Sequence, residues 1–122
     1  MKLLVVDDNE DLLEVVASAL EIFGHTVDKA EDGAAAVDLQ SSNLYDAVIT
    51  DAEMPRLDGI KLCRYLKTNF PRVRIIGMSG SGRIHEFEDA GADAYLPKPF
   101  SLDALRDAID GRFGPSFRVM DN

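Results

Sequence analysis

The sequence predicts an α/β domain with a parallel sheet, on three observations. Short apolar runs rich in β-branched residues recur along the chain, as in LLVV at residues 3–6 and AVI at residues 47–49, and such unbroken runs suit strands buried on both faces. Stretches with apolar residues at helical spacing lie between them, the clearest being Leu12, Val16 and Leu20. The two kinds of segment alternate five times. That alternation requires crossover connections, so the strands are expected to run parallel with helices on both faces of the sheet.

The first strand covers residues 2–6 and stops at Asp7-Asp8-Asn9. An amphipathic helix follows over residues 11–23, and Gly24 ends it. Residues 25–30 (HTVDKA) make a weaker strand suited to the sheet edge, and Glu31-Asp32-Gly33 turns the chain into a short helix of good formers over residues 34–40. The third strand stops at Asp51. Met54-Pro55 and Asp58-Gly59 then supply turn chemistry before helical spacing resumes at Ile60, Cys63 and Leu66, with Asp58 read as the helix cap. Asn69-Phe70-Pro71 breaks that helix. Residues 73–78 (VRIIGM) form a fourth strand ending at Ser79-Gly80, and Ile84, Phe87 and Ala90 mark one face of a brief helix closed by Gly91. Residues 94–96 are a small fifth strand, Pro97-Lys98-Pro99 forces a turn, and Leu102, Leu105 and Ile109 line a last helix capped by Ser101 with Asp103 in its first turn.

At 122 residues and 46% apolar, the chain is long enough for one core, and no linker or second domain is expected. Thirteen basic against twenty-two acidic residues leave a net charge of −9, which argues against nucleic acid as a direct partner. No signal peptide or membrane-length segment is read, and the single Cys63 excludes an internal disulfide, so a reducing cytoplasm is expected. Cys63, Met54, Met78, Tyr65 and Phe87 read as core or rim residues. His25 and His85 lie far apart on weak segments with no second metal-type residue beside them, and they read as surface or packing residues rather than ligands.

The acids at strand ends carry the functional signal. A carboxylate cannot remain unpaired in an apolar interior, so Asp51 belongs where the strand leaves the sheet, at the carboxyl edge where α/β proteins place ligands. A lone acid there could equally be a cap or a surface turn. The first strand ends the same way, however, and if the two strands are neighbours, Asp7, Asp8 and Asp51 converge. Two unit charges ~4 Å apart repel by about 4 kcal/mol at an effective dielectric of ~20, so the cluster needs a cation or a proton. Hard oxygen ligands favour Mg²⁺.

Asp7-Asp8 after the first strand, Asp51 followed by MPRLDG, Ser79-Gly80 after the fourth strand and YLPKPF at residues 95–100 together resemble the receiver domain of bacterial two-component response regulators, of the stand-alone chemotaxis-regulator kind. The resemblance covers residues 1–111 and leaves residues 112–122 as a C-terminal tail bearing Phe113, Phe117, Val119 and Met120. It implies a flavodoxin-like, doubly wound (βα)5 fold with strand order 2-1-3-4-5. It implies that Asp51 is the phosphoacceptor, taking a phosphoryl group from a sensor histidine kinase or a histidine phosphotransfer protein. Asp8 would bind Mg²⁺ directly, Asp7 through water, and the backbone carbonyl of Glu53 would add a ligand. Lys98 would pair with Asp51 at rest and with the phosphoryl group afterwards, beside a turn that the family makes with a cis Lys-Pro peptide. Ser79 would move to hydrogen-bond the phosphoryl oxygen, Gly80 would leave room, and Tyr95 would rotate inward behind it. The resulting surface change on the fourth helix, fifth strand and fifth helix would be read by a downstream protein target, without membrane or nucleic-acid contact, by a monomer or a phosphorylation-dependent dimer.

Three features depart from the family pattern. The segment from Ser79 to Tyr95 is shorter by roughly one helical turn, leaving a shortened fourth helix. Glu53 and Ser81, each two positions past a site residue, are expected to tune the site, Glu53 through its charge. The third is the apolar tail. From position alone Tyr95 could be an ordinary strand residue and Lys98 a solvated loop lysine. Two other classes remain open: a Mg²⁺-dependent aspartyl-phosphate hydrolase, which would carry a second aspartate where this chain has Glu53, and an FMN-binding flavodoxin, whose phosphate loop DDNED would disfavour. A signalling domain, stand-alone or part of a longer regulator, is the expectation rather than an enzyme.

Overall fold

A computed structural model of the chain describes residues 1–111 and 117–120. Its elements run β1 (Lys2–Val6), α1 (Glu10–Ile22), β2 (Thr26–Ala30), α2 (Gly33–Asn43), β3 (Ala47–Asp51), α3 (Gly59–Asn69), β4 (Arg74–Ser79), α4 (Ile84–Asp89), β5 (Ala94–Pro97), α5 (Leu102–Asp110) and β6 (Arg118–Val119). All strands pair in parallel, in the order β2-β1-β3-β4-β5-β6. The order reverses between β1 and β3, and the crevice at that switch point opens at the carboxyl ends of the strands.

Strand alternation divides the core in two. Leu3, Val5, Ile49, Ile76, Met78 and Leu96 face α1 and α5, whereas Leu4, Val6, Val48 and Ile75 face α2, α3 and α4. Side-chain caps start the helices where the sequence placed polar residues. Asn9 accepts from the Leu12 N–H, Asp32 from Ala35, Asp58 from Lys61 and Ser101 from Ala104. α2 begins one residue earlier and ends three later than its propensities suggested. It closes at Leu44 with a positive φ of 53°, because buried Gln40, whose Oε1 accepts the Tyr45 N–H, holds the last turn in place.

α4 is the shortened helix expected, six residues long. It is anchored by Phe87, which is fully buried and lies against Tyr95 with ring centroids 5.9 Å apart. Gly77 makes room for that ring, since a Cβ there would stand 2.5 Å from Phe87 Cδ1.

A sixth strand lies beyond the five expected. Arg118 N–H donates to the Asp93 carbonyl and Met120 N–H to the Tyr95 carbonyl, so β6 satisfies backbone groups that an edge strand would leave open. Met120 is buried in the α1/α5 core and Phe117 packs on the opposite one. The period-2 signal of a two-residue strand is too short to be read from sequence. Phe113 lies outside the described residues.

Two outcomes test this packing. Met120→Ala is expected to lower stability by about 2–5 kcal/mol in urea unfolding, as for other buried Met truncations; an exposed tail would show almost none. Cys63 is fully buried, and burial pushes its thiol up to about 12, so a thiol reagent is expected to label it only after unfolding.

Candidate functional site

The carboxyl ends of β1, β3 and β5 bring the site together. Asp7 and Asp8 follow β1, Asp51 ends β3, and one carboxylate oxygen from each of the three lies within 4.8 Å of the others. Asp7 and Asp51 are only 1% and 6% exposed, while Asp8 is open to solvent. The parallel register of β1 and β3, with Val6 opposite Thr50, is what aligns the two chain segments.

Lys98 enters from the turn after β5. Its Nζ donates to Asp51 Oδ1 at 2.7 Å and to Asp7 Oδ2 at 3.4 Å, and the Lys98-Pro99 peptide is cis. Burial opposes the lysine's charge, but the bond to Asp51 and the charges of Asp51 and Asp7 outweigh it and raise its pKa. Asp51 is also raised. Burial is the main cause, Lys98 offsets part of it, and the charges of Asp7 and Glu53 push it further up. Three carboxylates facing one ammonium therefore leave the cluster short of positive charge, and its all-oxygen donor set fits a small hard dication.

Two backbone features support Asp51. A Cβ on Gly59 would come within 1.8 Å of the Asp51 carbonyl oxygen, so glycine alone lets the start of α3 close over the end of β3. The Thr50 hydroxyl donates to the same carbonyl at 3.0 Å. Gly80 is less demanding: a Cβ there would meet only Lys98 Cβ, at an ordinary 3.8 Å.

Ser79 ends β4, buried beside the cluster, and its Oγ lies 2.8 Å from Ser81 Oγ and 3.4 Å from Glu53 Oε1. Ser81 Oγ also donates to Glu53. Glu53 is exposed and turned toward these serines, with Arg83 Nη1 3.8 Å from its Oε1. Tyr95 is already inward in this structure, 3% exposed, with its hydroxyl donating to the Ser79 carbonyl at 3.1 Å. The inward turn that the family resemblance implies would therefore begin from a position already occupied. Arg83 was not marked as a site residue in the sequence. Its i, i+3 spacing to Glu86, to which it binds through Nε and Nη2 at 3.1 and 2.7 Å, was the available signal, but nothing local indicated Glu53. His25 contacts the N-terminal amine and His85 lies 3.7 Å from Glu88, both away from the acids.

Comparisons with known proteins place the chain in a family. The family model described as the response regulator receiver domain matches residues 3–110. Response regulator MprA of Mycobacterium sp. (strain KMS) is 41% identical over 108 residues, covering 86% of this chain and 47% of its own, so the chain spans about half the length of that relative. Among solved structures, a response regulator receiver domain protein from Clostridium thermocellum superimposes with a TM-score of 0.85 at 32% identity, covering 89% of this chain and 90% of its own. The BeF3-activated DrrB receiver domain does so with a TM-score of 0.82 at 27% identity, covering 92% of this chain and 95% of its own. No helix of the described residues is long and apolar enough to cross a membrane. With a matching model over nearly its whole length and a curated relative at 41% identity, the chain belongs to the response regulator receiver domain family, a family of signalling domains.

Proposed function

We propose that Asp51 is the phosphoacceptor of this receiver and that the donor is a phosphohistidine on a sensor kinase or phosphotransfer protein. The observation that carries the reading is the buried Asp51 carboxylate bonded at 2.7 Å to Lys98 inside a cluster of three acids. A carboxylate oxygen of Asp51 attacks phosphorus, the P–N bond to imidazole breaks as the P–O bond forms, and the leaving nitrogen takes up a proton. Lys98 orients the attacking carboxylate before transfer and pairs with a phosphoryl oxygen after it. Asp7, Asp8, Asp51 and the backbone carbonyl of Glu53 would hold Mg²⁺, whose contribution is to neutralise charge on the phosphoryl oxygens. Ser79 contacts the phosphoryl group, and the change is passed to the surface of α4, β5 and α5, where a downstream protein reads it in the cytoplasm. Residues 1–111 form the receiver unit, and Arg118–Val119 add a short strand beside β5. Nothing in the site favours the hydrolase reading, in which a second aspartate would stand at the position of Glu53.

Incubation with acetyl phosphate and Mg²⁺, followed by intact-mass measurement, is expected to give one phosphate-sized adduct on the wild type and none on Asp51→Asn. An adduct of equal yield on the variant would refute the assignment.

The charge deficit makes a second prediction. A raised carboxyl pKa means the folded state holds its proton more tightly than the unfolded chain, so ionised Asp51 costs stability at neutral pH and that cost falls as pH drops toward the ordinary aspartate value. Without metal, Asp51→Asn is expected to melt above wild type at pH 7, with the gap narrowing on acidification. Mg²⁺ at about 100 times its Kd is expected to stabilise the wild type by about 2.7 kcal/mol and the variant by much less, read by thermal unfolding.

A further inference from the structure

The Ser79 hydroxyl is already engaged in the resting protein. Its Oγ accepts the Ser81 backbone N–H at 3.0 Å and lies 2.8 Å from Ser81 Oγ and 3.4 Å from Glu53 Oε1. Each serine hydroxyl has one proton to give, and the Glu53 carboxylate can only accept. Ser81 spends its proton on Glu53. The Ser79 proton therefore goes to Ser81 Oγ or, over the longer path, to Glu53. Either way it is committed. Glu53 in turn lies 3.8 Å from the guanidinium of Arg83, the residue just before α4.

Tyr95 sets no comparable barrier. It is already packed inward on Phe87, so the hydroxyl network is the part of the site that must rearrange before Ser79 can face an oxygen on Asp51.

We propose that Glu53 and Ser81 are positioning residues that latch the Ser79 hydroxyl in the unphosphorylated protein, so that a phosphoryl group on Asp51 must take that proton in competition with the Glu53 carboxylate. The inference rests on the reading of Asp51 as phosphoacceptor. A phosphoryl group brings about −1.5 to −2 of charge and strong acceptor oxygens, so it can outcompete a single carboxylate. Part of its interaction is then used to open the latch. Removing the latch should favour the phosphorylated conformation without touching an acid of the metal cluster or Lys98.

The test uses the full chain and beryllofluoride, a stable analogue of a phosphoryl group on a carboxylate, with affinity measured by calorimetry in Mg²⁺. Ser81→Ala leaves every charge in place and is expected to tighten binding about 3–10-fold, the net value of one hydrogen bond. Glu53→Ala is expected to do the same, and Ser81→Thr, which keeps the hydroxyl, should restore wild-type affinity. The Ser81→Ala gain should vanish in a Ser79→Ala background and the Glu53→Ala gain should shrink to what its lost charge supplies, because the latch acts only through that hydroxyl. If Ser81→Ala leaves affinity unchanged, or if Glu53→Ala tightens binding equally with and without Ser79, the latch is overturned and Glu53 acts by charge alone. If folded wild-type protein binds no beryllofluoride, the reading of Asp51 fails and the latch with it.

Discussion

The structure depends on keeping two carboxylates, Asp7 and Asp51, almost entirely out of water while opposing them with one ammonium, from Lys98. Ionised acids in such a place are costly unless paired, and a single lysine does not match the charge. The site is built so that the deficit persists, which is why burial prevails over pairing in the shift of Asp51. A fully neutralised cluster would be more stable but would lose its attraction for a dication. The sheet supplies the rigidity that the arrangement requires: β1, β3 and β4 are buried almost throughout, so the strand ends cannot spread to relieve the repulsion.

Around that cluster the fold separates a rigid side from a looser one. β1, β3 and the turn after β5 hold the acids and the lysine through backbone pairing and the close approach of Gly59 to the Asp51 carbonyl. The looser side is polar and more exposed. Glu53, Ser81 and Arg83 lie on loops or at the start of a six-residue helix, where a change of hydrogen-bond partner costs little packing. Phe87, locked over Gly77, keeps the short α4 from drifting, so a change at Arg83 reaches a helix with a fixed anchor and a loose start.

The order of elements and most of their limits were legible because buried parallel strands and amphipathic helices write different periods into the chain, and because Asp58 and Ser101 stand just before helices whose first N–H groups they satisfy. The convergence of Asp7, Asp8 and Asp51 was legible conditionally, since it follows only if β1 and β3 are neighbours. Three things were not legible. β6 is too short to carry a period, the inward position of Tyr95 depends on how Phe87 fills the space over Gly77, and the link from Arg83 to Glu53 joins residues 30 apart in the chain.

By itself, then, the sequence determined the α/β class and the strand ends that carry acids, because these follow from local period and from the cost of burying charge, whereas Lys98 was marked as their partner only by the family resemblance. Only the tertiary structure decided which strands are neighbours, how close the three carboxylates come, and which groups surround the Ser79 hydroxyl. Those are distances between segments far apart in the chain, set by strand register and side-chain packing rather than by any local pattern of residues.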